Sequence, residues 1–296
     1  MTLGISAANV TLDYGDTRAV DDLSFTLDGG KIHGLLGRNG SGKTSLVSLI
    51  AAFRRPTSGT ITVGGRQPFE NAEVTPDICL IREAGDVFES DTVKRVLKFA
   101  ATFRPRWDAR LAERLVERFE LPERKRVTSL SRGMRSALGV VLGLAARAPV
   151  TIFDEVHLGM DAPSRYAFYE ELLDDYLAHP RTVILSTHLI EEVSSLLEEV
   201  LIIDKGRLVT HGPADELKER GVAVTGRTAD VEAFTRGMEI LNTQRLGGTT
   251  RITVFGSMDD GRRRKAAEAG LELGPVPLQD LVVHLTGRER SGDDDA

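Results

Sequence analysis

The chain has 296 residues and a formal net charge of -6, with 41% hydrophobic and 28% charged residues. These proportions are ordinary for a globular protein with a substantial core, and the negative charge argues against nucleic acid as a main partner because phosphate backbones would be repelled. Cys79 is the only cysteine, which excludes an internal disulfide and is typical of a reducing cytoplasm. The most apolar stretch, residues 136–146, is about half of the roughly 20 residues needed to cross a bilayer. We therefore expect a chain that does not span a membrane itself.

The first half of the chain predicts strands before and after a glycine-rich loop. Alternating apolar residues predict strands over Ile5–Tyr14 and residues 23–27, and the continuous apolar run Ile32–Leu36 predicts the first buried strand. A helix over residues 45–52 and a strand over residues 60–63 follow. From about residue 83 to residue 147 the pattern becomes helical. Within Trp107–Phe119, apolar residues recur every four positions at Leu111, Leu115 and Phe119.

The second half continues the alternation of strands and helices. It predicts strands over residues 150–153 and 182–186, helices over residues 164–177 and 189–197, and a hairpin formed by residues 200–204 and 207–210. This order predicts an α/β fold with a mainly parallel three-layer core and an antiparallel N-terminal β subdomain.

A second, smaller domain is expected after a boundary near Gly221. Short apolar runs at residues 222–225, 252–255 and 281–285 alternate there with helical stretches at residues 230–237 and 259–269. The sequence therefore predicts one domain over residues 1–220, with a helical subdomain at about 84–147, and a small α+β appendage over residues 221–296. The acidic tail at residues 293–295 is expected to be a solvated terminus.

The residues that follow the first buried strand match a phosphate-binding loop. Glycines let the backbone N–H groups of such a loop surround an anion, at the positive end of the following helix. Lys43 is expected to reach the β- and γ-phosphates of ATP, and the Thr44 hydroxyl to hold Mg²⁺. The residues expected to bind the nucleotide are Gly37, Arg38, Asn39, Gly40, Ser41, Gly42, Lys43, Thr44 and Ser45.

Two acidic residues follow the apolar run at 150–153. Asp154 is expected at the carboxyl edge of the sheet, beside the phosphate loop, where it can support Mg²⁺. Glu155 is suited to polarise the attacking water as a catalytic residue. A solvated strand end is the alternative for this pair taken alone.

Residues 3–215 resemble the nucleotide-binding subunits of ATP-binding cassette (ABC) transporters. The ABC signature motif, Leu-Ser-Gly-Gly-Gln, is similar to the stretch Leu130, Ser131, Arg132, Gly133 and Met134. The resemblance implies that Ser131 and Gly133 contact the γ-phosphate bound to the opposite subunit of a dimer. Arg132 and Met134 depart from the motif, and an ordinary N-cap serine fits Ser131 equally.

Three further residues match the family pattern. Asp161 resembles the loop aspartate at the dimer seam. His188, which ends a predicted strand, resembles the switch histidine that contacts the γ-phosphate, and it is predicted to be catalytic with Glu155. Tyr14 resembles the aromatic residue that stacks on adenine, although a half-buried strand tyrosine is the alternative.

The clearest departure from the family lies at Glu83. Members of the family usually have a glutamine there that contacts Mg²⁺ and the attacking water, and a shift of one position would place Arg82 there instead. A carboxylate can also coordinate Mg²⁺ but adds negative charge near the γ-phosphate. We expect Glu83 to reach the metal and to slow or retune hydrolysis, with a solvated Arg82–Glu83 pair as the alternative.

The resemblance implies an ATPase subunit of a transporter, with features of an exporter at residues 213–217 and 278–281. Its expected partners are a second ATP-binding subunit, identical or related, and a separate transmembrane permease, which would hold the chain on the cytoplasmic face of the membrane. Residues 85–102 face the membrane partner in this family, although local core packing explains the same apolar side chains. Those side chains are Val87, Phe88, Val93, Val96 and Leu97.

Two other functions stay open from the sequence. One is an ABC-type ATPase that acts on a non-membrane partner, although ribosome-acting members carry two phosphate loops and this chain has one. The other is a nucleotide-binding regulator with weak hydrolysis, which the carboxylate at Glu83 keeps open.

Overall fold

The computed structural model describes residues 2–83 and 89–287 of the chain. Backbone contacts divide the chain into two compact units. The first comprises the residues up to 188 together with 203–208, and the second comprises 189–202 and the residues from 209 onward. The expected boundary near Gly221 stays a prediction. Val87, Phe88 and the acidic tail lie outside the described residues.

The first unit contains twelve helices and strands among its described residues. In chain order they are β1 (Ile5–Tyr14), β2 (Thr17–Leu27), β3 (Ile32–Leu36), α1 (Lys43–Ile50), β4 (Ser58–Val63), β5 (Ile78–Arg82), α2 (Val93–Phe103), α3 (Ala109–Arg118), α4 (Arg132–Ala145), β6 (Val150–Asp154), α5 (Ala162–Ala178) and β7 (Thr182–Thr187).

The remaining elements follow in chain order. They are α6 (Ile190–Val193), β8 (Glu199–Asp204), β9 (Arg207–Pro213), α7 (Ala214–Arg220), β10 (Gly221–Arg227), α8 (Thr228–Phe234), β11 (Glu239–Leu246), β12 (Thr249–Phe255), α9 (Asp260–Glu268), β13 (Glu272–Pro275) and α10 (Leu278–Thr286).

A six-stranded sheet with the order β5-β6-β7-β3-β8-β9 contains the predicted buried strands. The pairs β5–β6, β6–β7 and β3–β7 are parallel. Every residue of β3, β6 and β7 is buried, as the continuous apolar runs predict for strands covered on both faces. The parallel register aligns the carboxyl ends of β6 and β7, so that Asp154 pairs with Ser186.

The predicted antiparallel subdomain is a three-stranded sheet with the order β2-β1-β4. The residues predicted to be helical form α2, α3 and α4, and α4 packs against the parallel sheet. This packing is close because α4 has glycines there: a Cβ added at Gly143 would lie 2.5 Å from the ring of Phe153, and one at Gly139 would lie 2.8 Å from Ile81.

The second unit contains a four-stranded antiparallel sheet with the order β11-β12-β10-β13. With α8 after β10 and α9 after β12, the chain follows a β-α-β-β-α-β order, which is the ferredoxin-like arrangement. Its core is a cluster of eight buried side chains. These are Val222, Val224, Val231, Ile252, Val254, Met258, Ala266 and Leu271.

Several predicted elements of the second unit differ in the structure. The apolar run at 281–285 is not a strand but part of α10, which buries Leu278, Leu281 and Val282 at the i, i+3, i+4 spacing of a helix. The helix predicted over residues 189–197 is limited to Ile190–Val193. The strands β11 and β13 and the helix α7 were not predicted.

Among the described residues, none of the helices combines the length and the apolar character that crossing a bilayer requires.

Candidate active site

The predicted phosphate loop connects the buried strand β3 to the helix α1. Its turn is closed by a hydrogen bond of 3.1 Å from Ser41 N–H to the carbonyl of Arg38. Gly42 has a φ of 101°, and a Cβ at this position would collide with the carbonyl oxygen of Ala19. Only glycine therefore fits here without displacing the backbone, which lets the loop lie close to the backbone of β2.

Two polar groups of this loop are poised for an anion. Lys43 is 6% exposed, and its ammonium donates hydrogen bonds to the carbonyls of Gly37 (2.9 Å) and Arg38 (3.2 Å). The buried hydroxyl of Ser41 has no hydrogen-bond partner among the described residues. A buried hydroxyl without a partner is costly unless a ligand supplies one. The loop therefore fits a phosphate group.

An open cavity of about 450 Å³ lies over the loop. Its lining combines the loop with the histidine that ends β7 and with the turn between β8 and β9. The lining residues are Arg38, Asn39, Gly40, Ser41, His188, Asp204 and Lys205.

Asp154 and Glu155 lie at the carboxyl end of β6, as predicted. Asp154 is 4% exposed, and the Ser186 hydroxyl donates a 2.5 Å hydrogen bond to its Oδ1. Glu155 has a φ of 52°, in the left-handed region that a non-glycine residue rarely adopts. Its N–H donates to the carbonyl of Ser186 at 2.9 Å, so the register of β7 helps to hold this unusual conformation.

Cationic and polar groups converge on the carboxylate of Glu155. Lys43 Nζ lies 3.7 Å from Oε1, and His188 Nδ1 lies 3.0 Å from Oε2. The structure thus brings together the loop lysine, the predicted catalytic carboxylate and the predicted switch histidine. A carboxylate next to a histidine and a phosphate site is suited to acid–base chemistry on a water molecule.

Three residues of this cluster were missed in the sequence. His157 Nε2 lies 3.5 Å from Glu155 Oε2 and 3.0 Å from the Thr187 hydroxyl, and Ser186 holds Asp154. Ser186 and Thr187 end the strand next to β6, so the parallel sheet order would have indicated them. For His157 the available signal was a histidine within an apolar run two residues after Glu155.

The signature-like stretch forms the start of α4. The Ser131 hydroxyl accepts a 3.1 Å hydrogen bond from Met134 N–H, so the serine is the N-cap of this helix. A Cβ at Gly133 would lie 2.9 Å from the carbonyl oxygen of Gly159, which keeps α4 close to the turn that follows β6. The Arg132 guanidinium pairs with the Glu83 carboxylate, so two of the three departures from the family pattern meet in one ion pair.

Arg82 and Glu83 have different surroundings. Glu83 N–H donates to the carbonyl of Asp154 at 3.1 Å, whereas the Arg82 guanidinium lies over the Phe53 ring, 5.2 Å from its centroid. The Glu83 backbone therefore adjoins Asp154, while its side chain turns to Arg132.

Tyr14 and Asp161 lie outside the group of side chains around the Glu155 carboxylate, the Lys43–Glu155 cluster. Tyr14, at the end of β1, is 41% exposed, and the Arg54 guanidinium lies 5.5 Å from its ring centroid. Asp161 is the N-cap of α5 and accepts a 3.0 Å hydrogen bond from Ser164 N–H. Hydrogen bonds from the Ser164 side chain and backbone lower the pKa of Asp161.

A glycine-rich loop between a buried parallel strand and a helix, facing a carboxylate pair on a neighbouring strand, defines a P-loop nucleotide-binding protein. Residues 20–157 match the family model described as ABC transporter. The chain is 31% identical to the daunorubicin resistance ATP-binding protein DrrA3 of Streptomyces coeruleorubidus, across 94% of each chain. It is 30% identical to the Nod factor export ATP-binding protein I of Mesorhizobium japonicum, across 97% of this chain and 88% of the relative.

Among solved structures, the ATP-binding subunit of an ABC transporter superposes with a TM-score of 0.65 at 24% identity, covering 74% of this chain and 92% of that subunit. The chain belongs to the family of ABC transporter ATP-binding proteins.

Proposed function

We propose that this chain hydrolyses ATP to ADP and phosphate at the loop formed by residues 37–44 and so drives an ABC exporter. The observation that carries the proposal is the convergence of Lys43 and His188 on the carboxylate of Glu155, beside an open cavity over the phosphate loop. A carboxylate able to act as a base, with two groups able to bind phosphate close to it, supports this proposal.

The phosphate groups would be bound by the loop and by the first turn of α1. The backbone N–H groups at the start of this helix point toward the loop, and the helix dipole favours an anion there. The Lys43 ammonium, now held by two backbone carbonyls and near Glu155, would exchange these contacts for phosphate oxygens. Tyr14, with its exposed ring, would stack on the adenine.

The donor set beside the loop fits Mg²⁺. Within the described residues no group of three or more His, Cys, Asp or Glu side chains could enclose a metal ion. Asp154 and the Thr44 hydroxyl would instead supply two oxygen donors, which suits a cation that takes its other ligands from phosphates and water. When bound, Mg²⁺ neutralises charge on the β- and γ-phosphates. Glu83 would join these donors only after leaving Arg132.

Glu155 would accept a proton from the attacking water, and His188 would orient this carboxylate and contact the γ-phosphate. The hydrogen bond of 3.0 Å between His188 Nδ1 and Glu155 Oε2 supports a shared role. Both side chains are partly accessible, which the approach of a water molecule requires.

A second copy or a related subunit would complete the site. Ser131 and Gly133 lie at the N-terminus of α4, outside the Lys43–Glu155 cluster of their own chain, and Asp161 caps α5. In a dimer, Ser131 and Gly133 would meet the phosphates bound to the other subunit, with Asp161 at the seam.

The partner that moves the substrate would be a separate transmembrane permease, which would hold this chain at the cytoplasmic face of a membrane. The export and drug-resistance functions named for the two relatives support an exporter. Co-purification of the full chain with a multi-spanning membrane protein tests this part. ATPase activity stimulated only by ribosomes or nucleic acid would contradict it.

Hydrolysis itself is tested by single-turnover assays on the full chain with Mg²⁺ and ATP. We expect measurable turnover in the wild type, a loss of about 100-fold or more in Glu155→Gln, and ATP binding retained in both. Glu170 is an exposed carboxylate on α5, so Glu170→Gln is the matched control and should keep wild-type turnover. Binding without hydrolysis in the wild type would instead indicate a regulator.

A further inference from the structure

His157 is a buried histidine beside the proposed catalytic carboxylate. It lies in the short 3₁₀ turn Val156–Gly159 between β6 and α5 and is 3% exposed. A buried, polar side chain at this depth must be held by specific partners to offset its loss of hydration. Packing alone does not explain the polar contacts of His157.

Two partners of His157 are groups of the proposed active site. Its Nε2 lies 3.0 Å from the Thr187 hydroxyl and 3.5 Å from Glu155 Oε2. Thr187 immediately precedes His188, whose Nδ1 lies 3.0 Å from the same carboxylate oxygen. His157 thus touches both strand ends that carry the proposed catalytic residues.

The negative charge of Glu155 selects the protonated form of Nε2. If Nε2 carried a lone pair, that lone pair would face a carboxylate oxygen at 3.5 Å, which is unfavourable in a buried site. With a hydrogen on Nε2, the ring donates toward Glu155 and Thr187 together. His157 is therefore an N–H donor behind the carboxylate.

The other groups near Glu155, His188 and Lys43, have a second task. His188 lines the cavity over the phosphate loop, and Lys43 belongs to the loop itself. Lys43 would turn to the phosphates of bound ATP, which removes its hold on Glu155, and His188 would be shared between Glu155 and the γ-phosphate. His157 is not among the residues that line this cavity, so its contact can persist when the nucleotide is present.

We infer that His157 is a positioning residue whose Nε2–H keeps the Glu155 carboxylate aimed at the attacking water while ATP is bound. This inference rests on the proposed ATPase function. The side-chain contacts that orient the Glu155 carboxylate are those with Lys43, His188 and His157. A displacement of about 1 Å in a catalytic group can cost on the order of 100-fold in rate.

Two amide substitutions separate positioning from packing. The side-chain N–H of Gln reaches about as far from the backbone as Nε2, whereas that of Asn reaches only as far as Nδ1. In steady-state ATPase assays on the full chain with Mg²⁺ and ATP, we expect His157→Gln to keep kcat within about fivefold of wild type. We expect His157→Asn to lower kcat by about 10- to 100-fold.

ATP binding is the readout that separates a positioning role from a structural role, because only a structural role would change it. For both variants we expect KM for ATP and the midpoint of thermal unfolding to stay close to wild type. His179→Asn, at the C-cap of α5, is the control and should behave as wild type. Equal kcat losses in His157→Gln and His157→Asn, or no loss in either, would overturn the inference.

A double-mutant cycle tests whether His157 acts through Glu155. In the Glu155→Gln background, His157→Asn should cause no further loss of residual turnover, because the group it positions is gone. A further loss equal to that in wild type would contradict the inference. If His157→Asn does not fold, His157→Phe, of similar size and without a donor, replaces it with the same expected loss. A wild type without turnover would instead refute the proposed ATPase.

Discussion

Asp175 on α5 is the most enclosed carboxylate of the first unit's ion pairs, with a side chain that is 2% exposed. Its two oxygens lie 3.0 Å from Arg147 and 2.6 Å from Arg181, and both arginine side chains are also largely buried. Each charge in this group has lost its hydration, so the ion pairs hold only as a set.

Removal of Asp175 should therefore be strongly destabilising. Asp175→Ala removes the counter-ion of the buried Arg181 guanidinium and one of the two carboxylates that pair with Arg147, and we expect a loss of about 3 to 5 kcal/mol in unfolding free energy. Urea denaturation measures it. The control on the same helix is Glu170→Ala, whose ion pair with Arg118 at 3.1 Å is exposed and should contribute less than about 1 kcal/mol. Similar losses in the two variants would refute this account.

The pair formed by Glu83 and Arg132 is a different kind of contact. Its side chains are 35% and 62% exposed, so it contributes little to stability. Its interest lies in its position, because Glu83 adjoins Asp154 through the backbone and Arg132 follows the N-cap of α4.

The predicted role of Glu83 at the metal can be tested against this pair. If Glu83 reaches Mg²⁺, Glu83→Gln should change the ATPase rate and raise the Mg²⁺ concentration for half-maximal activity, because a charged donor is lost. Arg132→Gln should lower that concentration, since it frees the carboxylate. If the ATPase rate and the Mg²⁺ dependence are unchanged in Glu83→Gln, the Glu83–Arg132 pair is an ordinary surface ion pair and Glu83 has no role at the metal.

For individual residues, the sequence is sufficient to predict the candidate site where the local backbone alone positions the side chains. The loop glycines, Lys43 and the pair Asp154–Glu155 are adjacent in the chain to the elements that position them. His157 and Thr187 become neighbours only through the parallel register of β6 and β7 and the left-handed turn at Glu155. The contact between His157 and Thr187 cannot be predicted from the sequence unless the register of these two strands is known.

Among the elements, α4 connects the signature-like stretch to the sheet. Its ten buried residues face the parallel strands and the neighbouring helices, and glycines at 139 and 143 allow the close approach. The start of α4 is fixed by the Ser131 cap and its distance from β6 by Gly143. The position of the residues proposed to meet the partner's nucleotide depends on both.

A methyl group at Gly143 should disturb this packing. In Gly143→Ala the added Cβ would lie 2.5 Å from a ring carbon of Phe153, and we expect a loss of about 1 to 3 kcal/mol in unfolding free energy. The smaller side chain in Phe153→Leu should relieve the collision, so the double variant should lose less than the sum of the two single losses. Thermal or urea unfolding measures the coupling, and additive losses would show that the collision with Phe153 is not the source of the loss.

Helices and strands are predicted wrongly, or not at all, where the pattern of apolar and polar side chains is weak. The strand β11 was not predicted because six of its eight residues are exposed, so no alternation of apolar and polar residues marks it. The run at 281–285 was predicted with the wrong periodicity because several consecutive apolar residues fit either a buried strand or one face of a helix. The Pro277 cap before α10 was the signal that favours a helix.

At the scale of the whole molecule, the first unit contains the proposed catalytic cluster and the second contains a complete sheet with its own core. The β-α-β-β-α-β order begins at Gly221 with β10 and ends at Pro275 with β13, and α10 follows. All eight core residues of that sheet lie within this segment. The helix α7 precedes it and buries Ala214 and Leu217 within the second unit.

The predicted boundary near Gly221 can be tested with two fragments. Because residues 221–287 contain every strand of the sheet and its core, we expect this fragment to unfold cooperatively in urea with a stability of only a few kcal/mol, as is usual for a domain of about 60 residues. Val224→Asp, which places a charge at a fully buried position of β10, should abolish the transition. Dispersed amide NMR resonances for residues 221–287 would support a domain boundary there. A fold found only for residues 209–287 would place the boundary before α7, because the burial of Leu217 would then be required for the sheet to be stable.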